Sequence, residues 1–112
     1  MEAVQIVRIA VFNNIIAPCY AKKDSPDCDL YLTREDIGRF LGYKNPDRAI
    51  RKIHKANYKR LNKYSVKVAD GSTRLYSTRG AWELCTFSEQ PRVEDVMDFI
   101  WDINHEWTER RN

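Results

Sequence analysis

The sequence predicts an α+β domain: small antiparallel strands and hairpins, a helix-turn-helix-like pair and a C-terminal amphipathic helix. Three observations carry this. A Val- and Ile-rich run over residues 4–12 ends at Asn13-Asn14, helix start and stop residues cluster between Thr33 and Pro46, and residues 93–107 repeat apolar side chains at helical spacing.

The first element is a strand over residues 4–12. Asn13 and Asn14 tolerate the left-handed backbone that a two-residue hairpin turn needs, so residues 15–20 return as the second strand. Residues 22–29 hold two Lys, three Asp, Ser25 and Pro26, the composition of an exposed loop. A short strand over 30–32 follows.

Thr33 then caps a helix, with Asp36 three residues on, and Ile37, Phe40 and Leu41 form its apolar face. Gly42 suits a left-handed helix end. Pro46 suits the first turn of a second helix, which should run to about Lys59. At 100° per residue Arg48, Arg51, Lys52, Lys55 and Lys59 share about a 100° arc, opposite Ala49, Ile50, Ile53 and Ala56. Arg60 would turn into the apolar side if the helix continued, so the helix should stop there.

Residues 64–68 and 74–77 read as a hairpin turning through Ala69, Asp70, Gly71 and Ser72. A short helix over 78–87 should set Trp82, with Leu84 or Cys85, against the core. Ser88 to Pro91 breaks it, and Pro91 opens the last helix, with Glu94 and Asp95 in the first turn where the helix dipole favours them. Its apolar stripe of Val93, Val96, Met97, Ile100, Ile103 and Trp107 is widened by Phe99 and Trp101 to roughly 200°.

At 112 residues the chain is one domain, and 43% hydrophobic with 12% aromatic residues excludes wholesale disorder. The longest uncharged stretch, residues 9–21, contains Asn13, Asn14 and Pro18 and is too short for a membrane span. The expectation is a soluble protein of the cytoplasm. Cys19, Cys28 and Cys85 are odd in number and widely spaced, which argues for reduced thiols over a disulfide framework or a zinc site.

The net charge of +3 conceals a strong polarity. Residues 1–43 carry five basic and six acidic side chains, residues 44–79 carry eleven and two, and residues 80–112 carry three and eight. The middle segment, at +9, coincides with the second helix and second hairpin. A helix of this kind fits the major groove, with Arg, Lys and Asn reaching base edges or phosphates. The candidate DNA-binding set is Lys44, Asn45, Arg48, Arg51, Lys52, Lys55 and Lys59, joined by Lys67 and Arg74 on the hairpin and by neighbouring Arg79. The alternative for each is an ordinary solvated cation. Tyr58, Tyr64 and Tyr76 offer stacking surfaces, but aromatic residues at strand and helix ends are more often core.

Catalytic chemistry is not indicated. There is no Gly-rich phosphate loop, Cys85 and Ser88 lack an identifiable base, and the carboxylates of the last helix have the spacing of a solvated face. His54 and His105 pair with nothing at metal-ligand spacing, so packing or surface roles are expected, with no metal and no cofactor. The wide apolar stripe on the last helix raises self-association through Phe99, Trp101, Ile103 and Trp107 as an alternative to core closure.

The run LYLTREDIGRFLGYKNPDRAI over residues 30–50 resembles the N-terminal BRO domain of phage antirepressors and large-DNA-virus BRO proteins, at Asp36, Ile37, Leu41, Gly42, Tyr43, Asn45, Pro46, Ala49 and Ile50. Gly80, Glu83-Leu84, Ser88 and Pro91 are similar to the family's second half, and Val93, Val96, Phe99 and Ile100 fall at its helix's apolar positions. The resemblance implies an α+β domain binding double-stranded DNA, often fused to a C-terminal domain in longer members, with a phage or viral regulatory role. The place of action would be the bacterial cytoplasm, or a host nucleus for a eukaryotic virus. The alternative, motivated by the −5 C-terminal segment and the wide apolar stripe, is an antirepressor that binds a repressor protein through its acidic helix or basic face, without specific DNA binding. Phe99 stands where the family's tryptophan is expected, and the last helix is acidic where many relatives are basic.

Overall fold

The computed structural model describes residues 3–23, 29–68, 70 and 73–111. Five antiparallel strands form one sheet in the order β1-β2-β3-β5-β4. The strands are β1 (Val4–Phe12), β2 (Ile15–Lys22), β3 (Tyr31–Thr33), β4 (Ser65–Lys67) and β5 (Arg74–Ser77). The helices are α1 (Arg34–Leu41), α2 (Pro46–Ala56), α3 (Tyr58–Leu61), α4 (Thr78–Thr86) and α5 (Val93–Arg111), with a 3-10 turn at Asn62–Tyr64.

The first hairpin forms as its turn residues require. Asn13 and Asn14 sit at φ 48° and 65°, the left-handed pair that matches the twist of two strands. The ladder slips between Ile6 and Arg8, placing Val7 as an extra residue in a bulge. Opposed pairs Arg8–Cys19, Ala10–Ala17 and Phe12–Ile15 share the inner face. The small side chains Ala10, Ala17 and Cys19 are buried there and admit the helices closely, while Phe12 meets Phe40 of α1 and Phe99 of α5 at ring distances of 5.8 and 5.0 Å.

Thr33 ends β3 and caps α1, its hydroxyl accepting from the Asp36 amide, and Gly42 closes α1 at φ 88°. Ile37, Phe40 and Leu41 are fully buried, as their spacing predicts. Gly38 marks the crossing with α2: a β-carbon there would lie 2.6–2.7 Å from the Pro46 backbone and ring. Only glycine admits so close an approach.

Several boundaries differ from expectation, each for a physical reason. The second helix ends at Ala56, short of Lys59, because Asn57 leaves helical geometry and its side-chain amide donates to the Ile53 carbonyl. The chain restarts as the single turn α3. That break buries Leu61 and turns Arg60 outward onto the carboxylate of Glu83 at 2.7 Å, avoiding the charge burial a straight helix would impose. The 3-10 turn takes Tyr64 from the strand, and α5 starts at Val93 because Pro91 and Arg92 form the preceding turn.

Trp82 is not a core residue. It shares the solvent side of α4 with Arg79 and Thr86, while Ala81, Leu84 and Cys85 face inward. The expected loop over 22–29 falls mostly outside the described residues, as do Cys28 and the turn residues Ala69, Gly71 and Ser72. Asp70 is described, and its carboxylate accepts from both the Thr73 amide and hydroxyl, at 2.9 and 2.7 Å. Among the described residues no helix is long and apolar enough to cross a membrane.

Candidate nucleic-acid interface

The basic helix is held by a narrow set of contacts. Ile50 is fully buried, and half-buried Ala49 and Ile53 flank it. The fourth anchor is polar: the His54 ring, 5% exposed, places Nδ1 2.6 Å from the Tyr76 hydroxyl on β5. Arg34 of α1 donates to the same hydroxyl from Nε and Nη2, at 3.3 and 3.2 Å. The two Arg34 N–H groups take up both lone pairs of the hydroxyl oxygen, so its proton is directed to His54 Nδ1, the arrangement in which the ring hydrogen is on Nε2. Nε2 itself is buried with no partner among the described residues. Burial first, then the nearby Arg74 and Arg34 cations, hold the His54 pKa below its usual value, so the ring is neutral. Burial raises the Tyr76 pKa against the opposing pull of Arg34.

This chain from Arg34 through Tyr76 to His54 ties α1, α2 and β5 together, and so sets the second hairpin beside the basic helix. Arg48, Arg51, Lys52 and Lys55 are exposed on α2, and Lys59 is exposed on α3 beyond the break. Lys44 and Asn45 are exposed in the turn, and the Asn45 carboxamide makes no capping bond although it occupies the N-cap. Lys67 is exposed on the edge strand β4. Arg74 is half-buried, donating to the Ser65 hydroxyl at 2.7 Å, which fixes its guanidinium along the hairpin.

Two arginines have partners that the basic-face reading did not anticipate. Arg51 bonds Asp47 one turn earlier at 2.7 Å, an exposed and therefore weak pair. Arg79, read from sequence as part of a basic wing, lies 3.2 Å from Glu83 and over the Tyr64 ring. Glu83 is 1% exposed and accepts from both Arg60 and Arg79, and the Arg60 bond above all holds its carboxyl below the usual carboxylate range. The Arg79 to Glu83 spacing of four residues is readable in sequence. The Arg60 partner is not, because it depends on the break at Asn57.

The tyrosines separate clearly. Tyr76 is fully buried, Tyr64 is half-buried under Lys63 and Arg79, and Tyr58 is 58% exposed and stacked on His54. The side chains proposed for self-association separate too. Ile103 is buried and Phe99 closes an aromatic cluster with Phe12 and Phe40, Trp107 is half-buried, and Trp101 alone of the four is exposed, at 63%. Phe99 and Ile103 are thus core residues, because α5 is gripped by both the first hairpin and α1. Trp101 and Trp82 line an open groove of about 430 Å³ between α4 and α5, with Thr78, Asn104 and Ile100 at its floor and sides.

His105 is exposed and pairs with Glu109 at 3.1 Å. Cys19 and Cys85 are free and buried, and burial pushes their thiols up to about 11 and about 12, so neither is a ready nucleophile. Among the described residues no cluster of three His, Cys, Asp or Glu side chains could hold a metal ion. Comparison of the chain with protein-family models, with curated proteins and with solved structures found no match.

Proposed function

We propose that this chain is a DNA-binding transcriptional regulator of the phage or viral antirepressor type. In this reading α2 enters the major groove of duplex DNA and the β4–β5 hairpin rests on the flanking backbone. One observation carries the reading: Arg48, Arg51, Lys52 and Lys55 are all exposed on one side of a helix whose opposite side is anchored on α1 and β5. Lys44, Asn45 and Lys59 extend that surface at its two ends, and Lys67 with Arg74 extends it sideways. The likeness of residues 30–50 to the BRO domain supports the same assignment.

The test is selection from random duplex DNA, followed by titration at several salt concentrations. About five neutralised phosphates correspond to a log K against log[salt] slope of roughly −4 to −5. Arg51→Glu with Lys55→Glu, both at exposed positions, should abolish binding while leaving the fold intact. Undetectable or salt-insensitive binding by the native chain would refute the assignment.

A second reading has its own observation. Trp101 stands exposed on α5 beside Asp98 and Asp102, next to the Trp82 groove, which suits docking of a repressor protein. Capture of a repressor that survives the basic-face double variant and fails with Trp101→Ala would favour it.

A further inference from the structure

The outer face of the first hairpin is apolar where a solvated sheet face should be polar. The opposed pairs Ile6–Tyr20, Ile9–Pro18 and Val11–Ile16 share that face. Ile6, Ile9, Val11 and Ile16 are 57, 54, 58 and 62% exposed. β1 is also an edge strand, nine residues long, and edges of this length are ordinarily protected by charge or covered.

The geometry points to a second copy of this chain as the occupant, the two hairpins packing outer face against outer face about a two-fold axis. Two properties of the face select a second copy over a different partner. First, its centre carries no charge. Arg8, the only charge in β1, points to the inner side, where it bonds Glu106 of α5 at 2.7 Å. Lys22, at the far end of the hairpin, lies over the Tyr31 ring. A two-fold contact sets each residue against the same patch, so a face with an uncharged centre and a single cation at its rim meets its copy with little like-charge repulsion, whereas either strongly charged region of this molecule would suffer much.

Second, the area fits a weak dimer. Four half-exposed aliphatic side chains with Pro18 and Tyr20 amount to roughly 400–500 Å² per copy, within the range of a lone monomer's largest patch. Two such faces remove about 800–1,000 Å² together, at the lower bound of a specific interface. Association should therefore be weak, on the order of 10 µM. It is independent of DNA and of the reading given for α2.

The experiment is sedimentation of the whole chain without DNA, from about 1 to 300 µM, a range that brackets this affinity. The native mass should climb from 13.2 kDa toward twice that value. Ile9→Lys with Ile16→Lys should hold it at the monomer value throughout. Ile9→Thr with Ile16→Thr, which keeps the β-branched shape that suits a strand, should weaken association at least fivefold even if the lysine variant fails to fold. Trp101→Ala should leave association unchanged. A native chain that stays monomeric, association undiminished by the threonine pair, or loss of association on Trp101→Ala would each overturn the proposal.

Discussion

The basic helix α2 and the acidic helix α5 are both amphipathic, yet they are held in opposite ways. α5 is anchored by apolar mass: Val96, Ile100 and Ile103 are buried, and Phe99 locks against two aromatic rings from β1 and α1. α2 buries Ile50 and, beside it, a histidine whose position depends on one hydrogen bond to Tyr76. The two helices thus differ in what is buried beneath them: α2 crosses α1 closely at Gly38 and adds a direction-dependent polar contact, whereas α5 buries far more apolar side chain, supplemented by the Asn104–Thr78 and Glu106–Arg8 bonds. α5 serves as the keel.

The largest effect should come from removing mass at the keel. Ile100→Ala opens a cavity among Leu84, Val96 and their neighbours in the core and should cost about 2–5 kcal/mol in urea unfolding. DNA affinity of the fraction that remains folded should be unchanged, because no α2 cation contacts this region. A comparable loss of affinity in the folded fraction would show that the two helices are not separable.

Gly38→Ala comes next. The added β-carbon would sit within 2.7 Å of Pro46 backbone and ring atoms, so α2 must move away from α1. The crowding should cost about 1–3 kcal/mol, outweighing the roughly 1 kcal/mol that alanine gains in helix propensity. Unlike the keel variant, it should also weaken DNA binding at temperatures where the chain is fully folded. Unchanged stability would mean that the α1–α2 crossing is compliant and that its spacing does not set the interface.

The sequence made most of this scaffold legible, and the reasons are local. Asn13-Asn14, the Thr33 cap, Gly42 and Pro46 each act through their own backbone, so their effects are readable without knowing what lies across the core. Most of the failures are long-range. Trp82 does not reach the core the sequence reading assigns it, because α4 is turned by the Gly80 approach to Tyr64 and by the buried Glu83. Arg60 was readable as unfit for a continuing helix, though the residue that breaks the helix, Asn57, carries no strong signal.

The first hairpin is the most instructive case. Its strands offer branched aliphatics on one face and small residues on the other, and hydrophobicity alone would turn the isoleucines inward. The fold does the reverse, because Ala10, Ala17 and Cys19 let α1 and α5 approach where bulkier chains would hold them off. For the candidate interface the sequence could place cations on one arc. The Asp47–Arg51 pair was open to the same reading, since it has the spacing of one helical turn, but Arg34 on Tyr76 was not, since it depends on the sheet register.

The smallest expected effect concerns a single proton and isolates the polar anchor of α2. His54 is neutral in the fold, with its pKa held below the ordinary value of about 6.5 that applies when the chain is unfolded. Between those two values the unfolded chain binds a proton that the folded chain does not. Stability therefore falls as pH drops below about 6.5 and levels off once the folded pKa is passed. Protonation would also place a cation beside Arg34 and Arg74 and remove the Nδ1 acceptor that Tyr76 uses. The paired carboxylate Glu83 acts in a separate window, since a depressed carboxyl pKa removes stability only as pH falls toward about 4.5 and below. Urea unfolding between pH 7.5 and 5.5 should accordingly show a loss in the native chain that His54→Gln, which keeps a polar side chain near Tyr76 without titrating, does not share. Parallel pH profiles for the two would remove His54 as the titrating anchor, and with it the contrast between a helix whose polar anchor titrates and a keel built chiefly on apolar burial.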